Sequence, residues 1–539
     1  MNSISFIRGQ IPQDWAFVGG PWTISDEGVI CPPHNLVDEN LAFLTTHAYA
    51  DFQAEFEFRW DITASDSGFD VHTNAGFLFG AADARHYYMV HFPAEDQQSS
   101  TEYFWAVISI VDVTGYARIL KMERVAAVST TLGLWHKAKV RVVADEVSVT
   151  LDDRPGPVVC DDTYRSAGRI GLASASGLGA TPKSSFRNLR IQGEPVSAAA
   201  WNESIKPPRR WSVADPEHGI RCGNIVRAAA GELLAFSAGR LLCSVDNGRT
   251  WSIGESLPTD FKVLDGWGEQ CPLRARPDGQ LEIYSLSHTP PFLIQKATSN
   301  DQGKSWSSMR KVGQIRFSPQ RAFDRLCSSG LLSLADGSLL LFAFAYALEQ
   351  VTVVDGRMFY IYPPPGTIDV CLRSTDGGES WSGPANLDGP PYDDSRWMFA
   401  KDTDVETSKV QLPDGTILRM SRPFYSPFMW ESRSHDGGRS WSPAARSAFP
   451  MYACTEAMVC TSSGTLLIGG RFPSLTVQVS HDRGLSWQAF VIDQTGARAN
   501  GAMFEVEPDV VVFIYGGWTE PDQLRYQLLR VTGSGIEPA

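Results

Sequence analysis

The stretch Ser374-Thr375-Asp376-Gly377-Gly378-Glu379-Ser380-Trp381 decides the fold of this chain. Its pattern, S-x-D-x-G-x-[ST]-W, occurs five times in the second half of the sequence, and each copy is called a box below. The box aspartates are Asp246, Asp301, Asp376, Asp436 and Asp482, so successive boxes are 55, 75, 60 and 46 residues apart. Repeats with a period of this size indicate a solenoid or a propeller.

The residue types of the box predict one tight turn for every copy. The aspartate can accept hydrogen bonds from backbone amides of its own loop, and the glycine can adopt a positive φ without a steric cost. The tryptophan is large enough to be buried between neighbouring repeats. We therefore expect the boxes to be structural, and we expect no metal site among the five aspartates.

A second element precedes each box, namely a turn with glycine followed by an apolar strand. Asp278-Gly279-Gln280-Leu281 and Asp336-Gly337-Ser338-Leu339 are two examples. A sixth pair of apolar segments, Ala502–Val506 and Val510–Tyr515, follows the last box. Five boxed units and this pair predict a six-bladed β-propeller over residues 206–539, with a pocket where the inner strands converge.

The first half of the chain shows a different pattern. Apolar and polar residues alternate strictly from Phe52 to Trp60, which is typical of a strand with one buried face. Residues 1–195 show no long helical period, so we predict an antiparallel β-sandwich of the jelly-roll type there. Residues 196–205 lie in a stretch of small residues and prolines and are predicted to be a linker. The predicted fold class is therefore all-β, a sandwich followed by a propeller.

Composition excludes several classes of partner. The formal net charge is −14, which opposes binding to nucleic acid because that binding depends on Lys and Arg. No apolar run reaches the roughly 18–20 residues of a membrane span, and the nine cysteines are scattered without a C-x-x-C pair. We expect no nucleic-acid partner, no membrane span, no metal and no cofactor.

No secretory signal is visible at Met1–Arg8, so a cytoplasmic location and secretion after signal removal both stay open.

Five boxes in an array of six units resemble the sialidase (neuraminidase) superfamily, whose repeats are called Asp boxes or BNR repeats. Residues 1–195 resemble a concanavalin A-like jelly roll of the laminin-G or sugar-binding kind, on the segments Asn74–Gly80, Arg85–His91 and Ser185–Ile191. The two resemblances imply a glycan substrate or partner, with sugar binding as one common use of the first domain.

The sialidase resemblance also implies particular residues. Sialidases hold the substrate carboxylate with three arginines, and Arg221, Arg422 and Arg471 lie at or near the matching offsets in this sequence. Glu406 lies eight residues before Asp414, as the glutamate of the family does. A guanidinium group binds a carboxylate with two parallel hydrogen bonds, so the three arginines would bind an acidic sugar.

Two features of the family are missing from the sequence. No loop with an acidic aspartate follows the first blade's Ser237–Arg240, and Arg498–Met503 holds no tyrosine where the nucleophile is expected. Glu269 and Glu456 begin inner strands in the second and fifth repeats, so either could act with Glu406 as a pair of catalytic carboxylates. Exo-arabinanases, which resemble sialidases in fold, are understood to use two glutamates in this manner.

Further candidates surround this predicted pocket. Trp267 could stack on a sugar ring, and Arg325, next to Asp324, is a polar candidate for substrate binding in the third repeat. Substitutes for the missing groups are His218 as acid/base and Tyr425 or Tyr452 as nucleophile.

The predicted function is an exo-acting glycoside hydrolase that removes a terminal, acidic, sialic acid-like sugar from a glycan. Two alternatives remain within enzymes: an exo-hydrolase of a neutral sugar, as in exo-arabinanases, and a lyase acting next to a uronic acid. A third alternative belongs to another class, a glycan-binding protein that kept the propeller and lost catalysis.

Overall fold

The computed structural model describes residues 2–3, 14–25, 28–32, 40–60, 72–93, 103–126, 133–164, 166–177, 184–205, 211–214, 222–237, 240–256, 272–317, 323–346, 350–354, 357–361, 367–382, 385–386, 404–423, 428–451, 453–470, 473–494, 501–516 and 523–539. Within these residues every regular element is a β-strand and no helix occurs, so the predicted all-β class is confirmed. Consistently, none of the described segments is a helix able to cross a membrane.

The chain divides into two compact units. One contains Met1–Arg210, Pro473–Thr476 and Ala489–Ala497, and the other contains Trp211–Phe472, Val477–Gln488 and Arg498–Ala539. The strands up to residue 210 are β1 (Asn2–Ser3), β2 (Trp15–Val18), β3 (Thr23–Ile24), β4 (Ile30–Cys31), β5 (Asn40–Leu44), β6 (His47–Ala48), β7 (Phe52–Trp60), β8 (His72–Asp83), β9 (His86–Pro93), β10 (Tyr103–Val111), β11 (Ala117–Ala126), β12 (His136–Val143), β13 (Glu146–Leu151), β14 (Arg154–Cys160), β15 (Arg169–Gly177), β16 (Ser184–Gly193) and β17 (Val196–Ser197).

These strands form a sandwich of two antiparallel sheets. One sheet has the order β14-β13-β12-β7-β16-β4-β3, and the other contains the order β2-β5-β15-β8-β9-β10-β11. In β7 every apolar residue is buried and every polar residue is half-buried, because the side chains of a strand alternate between its two faces. Phe56 of β7 stacks on Phe77 of β8 with ring centroids 5.3 Å apart, which joins the two sheets in one core. The predicted sandwich is confirmed.

The remaining strands are β18 (Trp211–Ala214), β19 (Cys222–Arg227), β20 (Leu233–Ser237), β21 (Arg240–Ser244), β22 (Ser252–Ser256), β23 (Leu273–Ala275), β24 (Leu281–Leu286), β25 (Phe292–Ser299), β26 (Arg310–Ile315), β27 (Arg325–Ser333), β28 (Leu339–Tyr346), β29 (Gln350–Val354), β30 (Arg357–Ile361), β31 (Thr367–Ser374), β32 (Ala385–Asn386), β33 (Asp404–Gln411), β34 (Ile417–Pro423), β35 (Phe428–Ser434), β36 (Ala445–Pro450), β37 (Ala453–Cys460), β38 (Leu466–Gly470), β39 (Leu475–Ser480), β40 (Gln488–Asp493), β41 (Ala502–Glu507), β42 (Val510–Gly516), β43 (Gln523–Thr532) and β44 (Gly535–Pro538).

Each box lies in an antiparallel meander of four strands. The orders are β19-β20-β21-β22, β23-β24-β25-β26, β27-β28-β31-β32, β33-β34-β35-β36 and β37-β38-β39-β40, which are called the first to fifth boxed sheets. In every one of them the box is the turn between the third and fourth strands. Neighbouring boxed sheets contact each other through their first strands, as when β33 lies beside β27 and β37. This arrangement is a β-propeller, as the repeats predicted.

The third box shows the predicted turn chemistry. Asp376 Oδ1 accepts hydrogen bonds from Ser374 Oγ at 2.7 Å and from the backbone amide of Ser380 at 3.0 Å, and Asp376 Oδ2 accepts one from Ser380 Oγ at 2.5 Å. The Gly378 amide donates to Ser374 Oγ at 2.8 Å, with φ of 84° at Gly378. The aspartate is therefore occupied by its own loop, as a structural role requires.

The box tryptophans pack against the preceding sheet. Trp381 of the third boxed sheet meets Tyr284 of the second edge to face, with ring centroids 5.9 Å apart. Trp441 of the fourth boxed sheet meets Phe342 of the third in the same way, also at 5.9 Å. The prediction that these rings lie between neighbouring repeats is confirmed, and their burial links one sheet to the next.

The boxes predict an acid-sensitive fold. Hydrogen bonds from the box serines lower the pKa of Asp301, Asp436 and Asp482 to about 2. Because these folded-state pKa values lie below the ordinary value of 3.8, the stability they supply is present above that value and is lost as the pH falls toward 2. We expect the thermal midpoint, followed by circular dichroism, to fall steeply between about pH 4 and about pH 2. A midpoint that stays constant over this window would contradict the prediction.

Candidate active site

The topology places three of the predicted site residues at one end of the second unit. In a four-stranded meander, the turn after the first strand and the turn after the third strand lie at the same end, so the boxes occupy one end and the starts of the first strands occupy the other. Arg325, Glu406 and Glu456 lie in the starting halves of β27, β33 and β37, and these three strands are mutual neighbours. The backbone therefore brings three of the predicted site positions into one region.

Glu406 is the bulged residue of β33. The register pairs Val405 with Arg422 and Thr407 with Ser421, which leaves Glu406 as an extra residue between the two pairs. Its φ is 56°, in the left-handed region, which costs a non-glycine residue about 1–2 kcal/mol. Its side chain is only 4% exposed. The strand therefore holds a carboxylate in a strained and buried position at the predicted pocket.

The left-handed backbone is unusual at a buried residue of this protein. The other described non-glycine residues with positive φ are all partly or fully exposed, and they are Ala144, Asp152, Asp153, Asn188, Asn247, Gln302, Arg483 and Asp509. The neighbouring strand β27 also has an irregular register, between Ser328 and Gly330, but there the residue with positive φ is a glycine, Gly330 at 95°, a conformation that costs glycine nothing. Strained residues of this kind cluster at functional sites, so a glutamate here marks Glu406 as a candidate catalytic group.

Two other predicted residues lie on the strands next to this bulge, β34 and β37. Arg422 of β34 is the register partner of Val405. Glu456 lies in β37 within the irregular register between Ala453 and Met458. The structure describes the backbone of Arg422 and Glu456 but not their side chains. Their part in the site stays a prediction.

The other predicted site residues fall outside the described residues. They are Arg221, Trp267, Glu269 and Arg471, together with the alternatives His218, Tyr425 and Tyr452. Their roles therefore stay predictions from the sequence.

Arg325 lies at the site end of β27 beside a histidine that the sequence analysis did not select. Arg325 is half-buried, and its Nη1 donates to the carbonyl oxygen of Asp324 at 3.0 Å. His288, in the connection from β24 to β25, lies with Nδ1 3.1 Å from the carbonyl oxygen of Leu326. Burial lowers the pKa of His288, and the charge of Arg325 adds to this effect, while the bond to Leu326 opposes it. The ring is therefore neutral at pH 7 with its proton on Nδ1, which leaves Nε2 as an acceptor.

A group of buried polar residues lies beside Glu406, between the third and fourth boxed sheets. We call it the Asp369 cluster, and its members are Asp369, Thr407, Lys409, Arg419 and Ser421. Asp369 and Arg419 are each 1% exposed and form an ion pair of 2.7 Å. Burial raises the pKa of the Asp369 carboxyl, and the charge of Arg419 opposes this shift.

Sequence reasoning missed the Asp369 cluster, although one signal was available. Asp369 interrupts the apolar strand Thr367–Leu372, and Arg419 interrupts the apolar strand Ile417–Met420. A charge in the middle of a buried strand requires a partner of opposite charge. The signal does not say which of the many charged residues is that partner, because the two strands are about 50 residues apart in sequence.

The described residues contain no group of three or more His, Cys, Asp or Glu side chains arranged to hold a metal ion. The polar groups described at the site are carboxylates, a guanidinium, an imidazole and hydroxyls. These groups are suited to proton transfer and to hydrogen bonding with a hydroxylated or anionic ligand.

Two family models match the chain. A BNR repeat-like domain matches residues 283–498, and a 3-keto-alpha-glucoside-1,2-lyase-like domain matches residues 4–192. The first match contains four of the five boxes together with Arg325, Glu406, Arg422, Glu456 and Arg471. No curated protein shows a significant match to the chain.

Several solved structures are similar at low identity. The Hadza microbial sialidase Hz136 is 12% identical, with 90% of this chain and 94% of that chain covered and a TM-score of 0.44. The Penicillium chrysogenum alpha-L-arabinanase complexed with arabinobiose is 15% identical, with 60% and 99% covered and a TM-score of 0.42. The carbohydrate binding module CBM66 from Bacillus subtilis is 16% identical, with 35% and 99% covered and a TM-score of 0.25. At these identities and TM-scores the similarity says nothing about activity, so a proposed function must come from the residues of this chain.

Proposed function

We propose that this chain is an exo-acting glycoside hydrolase that removes a terminal, acidic sugar of the sialic acid type from a glycan. The observation that carries the proposal is Glu406, a buried carboxylate held with a left-handed backbone at the site end of β33. The BNR repeat-like match, which contains this strand, supports it.

Hydrolysis of a glycosidic bond needs two carboxyl groups. One protonates the leaving oxygen, and the other attacks the anomeric carbon or activates a water molecule. In our proposal Glu406 is one of the pair and the second is Glu456, which lies on the neighbouring strand β37, or Glu269. A separation of about 5 Å between the two carboxyl groups gives retention of configuration, and a separation of about 6.5–9.5 Å gives inversion.

An acidic sugar would be held by arginines. Arg422 is the register partner of Val405, the residue before Glu406, so a carboxylate bound there would lie near the catalytic group. Arg221 and Arg471 complete the proposed anion site, with Trp267 and Arg325 as contacts to the sugar ring. Several guanidinium groups around one carboxylate would give strong, charge-assisted hydrogen bonds.

We also propose that an unboxed sheet closes the propeller as its sixth blade. This sheet has the order β18-β43-β42-β41 with β44 beside β43, and β41 lies next to both β19 and β37. Ile225, Leu233 and Leu242 of the first boxed sheet share a core with Val510 and Val512 of β42. Since β18 precedes the first boxed sheet in the chain, its pairing with β43 joins both ends of the second unit in one sheet.

The first unit is proposed to bind glycan as a concanavalin A-like jelly roll. The match of residues 4–192 to a 3-keto-alpha-glucoside-1,2-lyase-like domain favours a second candidate function. A carbonyl group at C3 acidifies the hydrogen at C2, so a base can remove that proton while the C1–O bond breaks. The leaving glycosyl oxygen takes a proton, and an unsaturated ketone remains.

One assay separates these candidates. We expect the purified full chain to release the phenol from an aryl sialoside, and not from aryl arabinosides or aryl glucosides. An unsaturated product absorbing in the ultraviolet, formed from a uronate glycan or a 3-keto-glucoside, would assign the chain to lyases instead. Measurable glycan affinity without turnover of any of these compounds would favour the binding protein.

A further inference from the structure

A single carboxylate oxygen connects the Glu406 bulge to the third boxed sheet. Oδ2 of Asp369, on β31, accepts hydrogen bonds from Thr407 Oγ1 and, at 2.8 Å, from Ser421 Oγ. Arg419 Nη1 donates to the same oxygen at 2.7 Å. All three donors come from β33 and β34, the two strands between which the bulge is formed.

Two of these donors, Thr407 and Ser421, lie next to the bulge in the register of β33 and β34. Thr407 and Ser421 are the pair that directly follows the bulge, and Thr407 is the residue next to Glu406. Their hydroxyl oxygens lie 3.3 Å apart, and both donate to Asp369 Oδ2. Asp369 therefore fixes both strands at the point where the ladder must resume after the extra residue, and a bulge persists only where the surrounding structure over-determines it.

The distribution of donors on Asp369 agrees with a positioning role. Oδ1 of Asp369 is also buried and accepts no hydrogen bond from any described residue. An ion pair that served only to neutralise Arg419 would not require two hydroxyl donors on the oxygen that already receives the guanidinium. A carboxylate has acceptor sites on both of its oxygens. The three donors nevertheless meet at Oδ2, so this one oxygen holds β33 and β34 together beside the bulge.

We infer that Asp369, acting through Thr407 and Ser421, positions Glu406 by holding the bulge of β33 in its left-handed form. This inference rests on the proposed function, because it assigns the cluster to the catalytic carboxylate. Asp369 and Thr407 are positioning residues, since neither is placed against the substrate. The backbone conformation of Glu406 therefore depends on Asp369 of the third boxed sheet as well as on its own strand.

The test is the substitution Thr407→Val, which keeps the shape of the side chain and removes the hydroxyl donor. We expect kcat on the aryl sialoside to fall about 10- to 100-fold with KM within about twofold of the parent, because a misplacement of about 1 Å costs a catalytic group about that factor. Thr407→Ser restores the donor, so its kcat should return to within about threefold of the parent. Thr416→Val is the matched control, because Thr416 is buried at the other end of the same two strands and its hydroxyl lies 3.1 Å from His435 Nδ1. Its kcat should stay within about twofold of the parent.

A crystal structure of the Thr407→Val protein gives a readout that does not depend on activity. A shift of residue 406 out of the left-handed region supports the inference. An unchanged backbone at residue 406, or an unchanged kcat, overturns it. If the parent protein hydrolyses no glycoside, the proposed function fails, and the crystal structure still decides whether Asp369 and Thr407 hold the bulge.

Discussion

Glu406→Gln is expected to lower kcat on an aryl sialoside about 10²–10⁴-fold, the range that a positioned acid or base contributes. The amide is nearly the same size as the carboxylate, so it should fit the same buried place. It can neither carry the negative charge nor exchange a proton at working pH. The loss is therefore expected in the chemical step, and KM should change little. Initial rates over a range of substrate concentrations measure both quantities.

A second glutamate of the same boxed sheet provides the matched control. Glu431 of β35 is 22% exposed and forms an ion pair of 2.7 Å with Arg433, and the strand β34 separates β35 from β33. Glu431→Gln should leave kcat unchanged. Full activity of Glu406→Gln would remove Glu406 from the catalytic pair, and equal losses in both variants would point to a general effect on folding.

Glu282→Met is expected to destabilise the second unit by about 3–5 kcal/mol, the usual result of removing one partner of a buried ion pair. Glu282 is fully buried and accepts hydrogen bonds from Arg274 at 2.7 Å, Lys296 at 3.2 Å and Tyr284 at 2.9 Å. Methionine fills a similar volume but supplies no charge. Lys296, which is 1% exposed, would then lose the carboxylate in its own sheet. Urea denaturation followed by tryptophan fluorescence measures the change in unfolding free energy.

An exposed ion pair of the same unit provides the control for Glu282→Met. Arg483 lies 3.2 Å from Asp414, and their side chains are 67% and 41% exposed. Arg483→Met should change the unfolding free energy by no more than about 1 kcal/mol, because water screens exposed pairs. Similar losses in Glu282→Met and Arg483→Met would show that burial does not determine the effect in this protein.

Much of the fold could be predicted from local sequence. The box contains the side-chain donors and acceptors that hold its turn, as the bonds among Ser374, Asp376 and Ser380 show. The alternation in Phe52–Trp60 likewise predicts one buried face wherever the strand is placed. The resemblance to sialidases selected Glu406, but the offset that supported this choice says nothing about its backbone conformation. The absence of the family's tyrosine and aspartate at their expected places left the partner of Glu406 open among Glu269 and Glu456.

The sequence by itself determined the turns, the strands and their repetition, because those depend on groups a few residues apart. Only the tertiary structure decided that Glu406 occupies a bulge at φ of 56° and that Asp369, 37 residues earlier, holds the pair next to it. A strained backbone is not favoured by its own residues and persists only through contacts from other strands. Those contacts come from a neighbouring sheet, so no local pattern in the chain contains them.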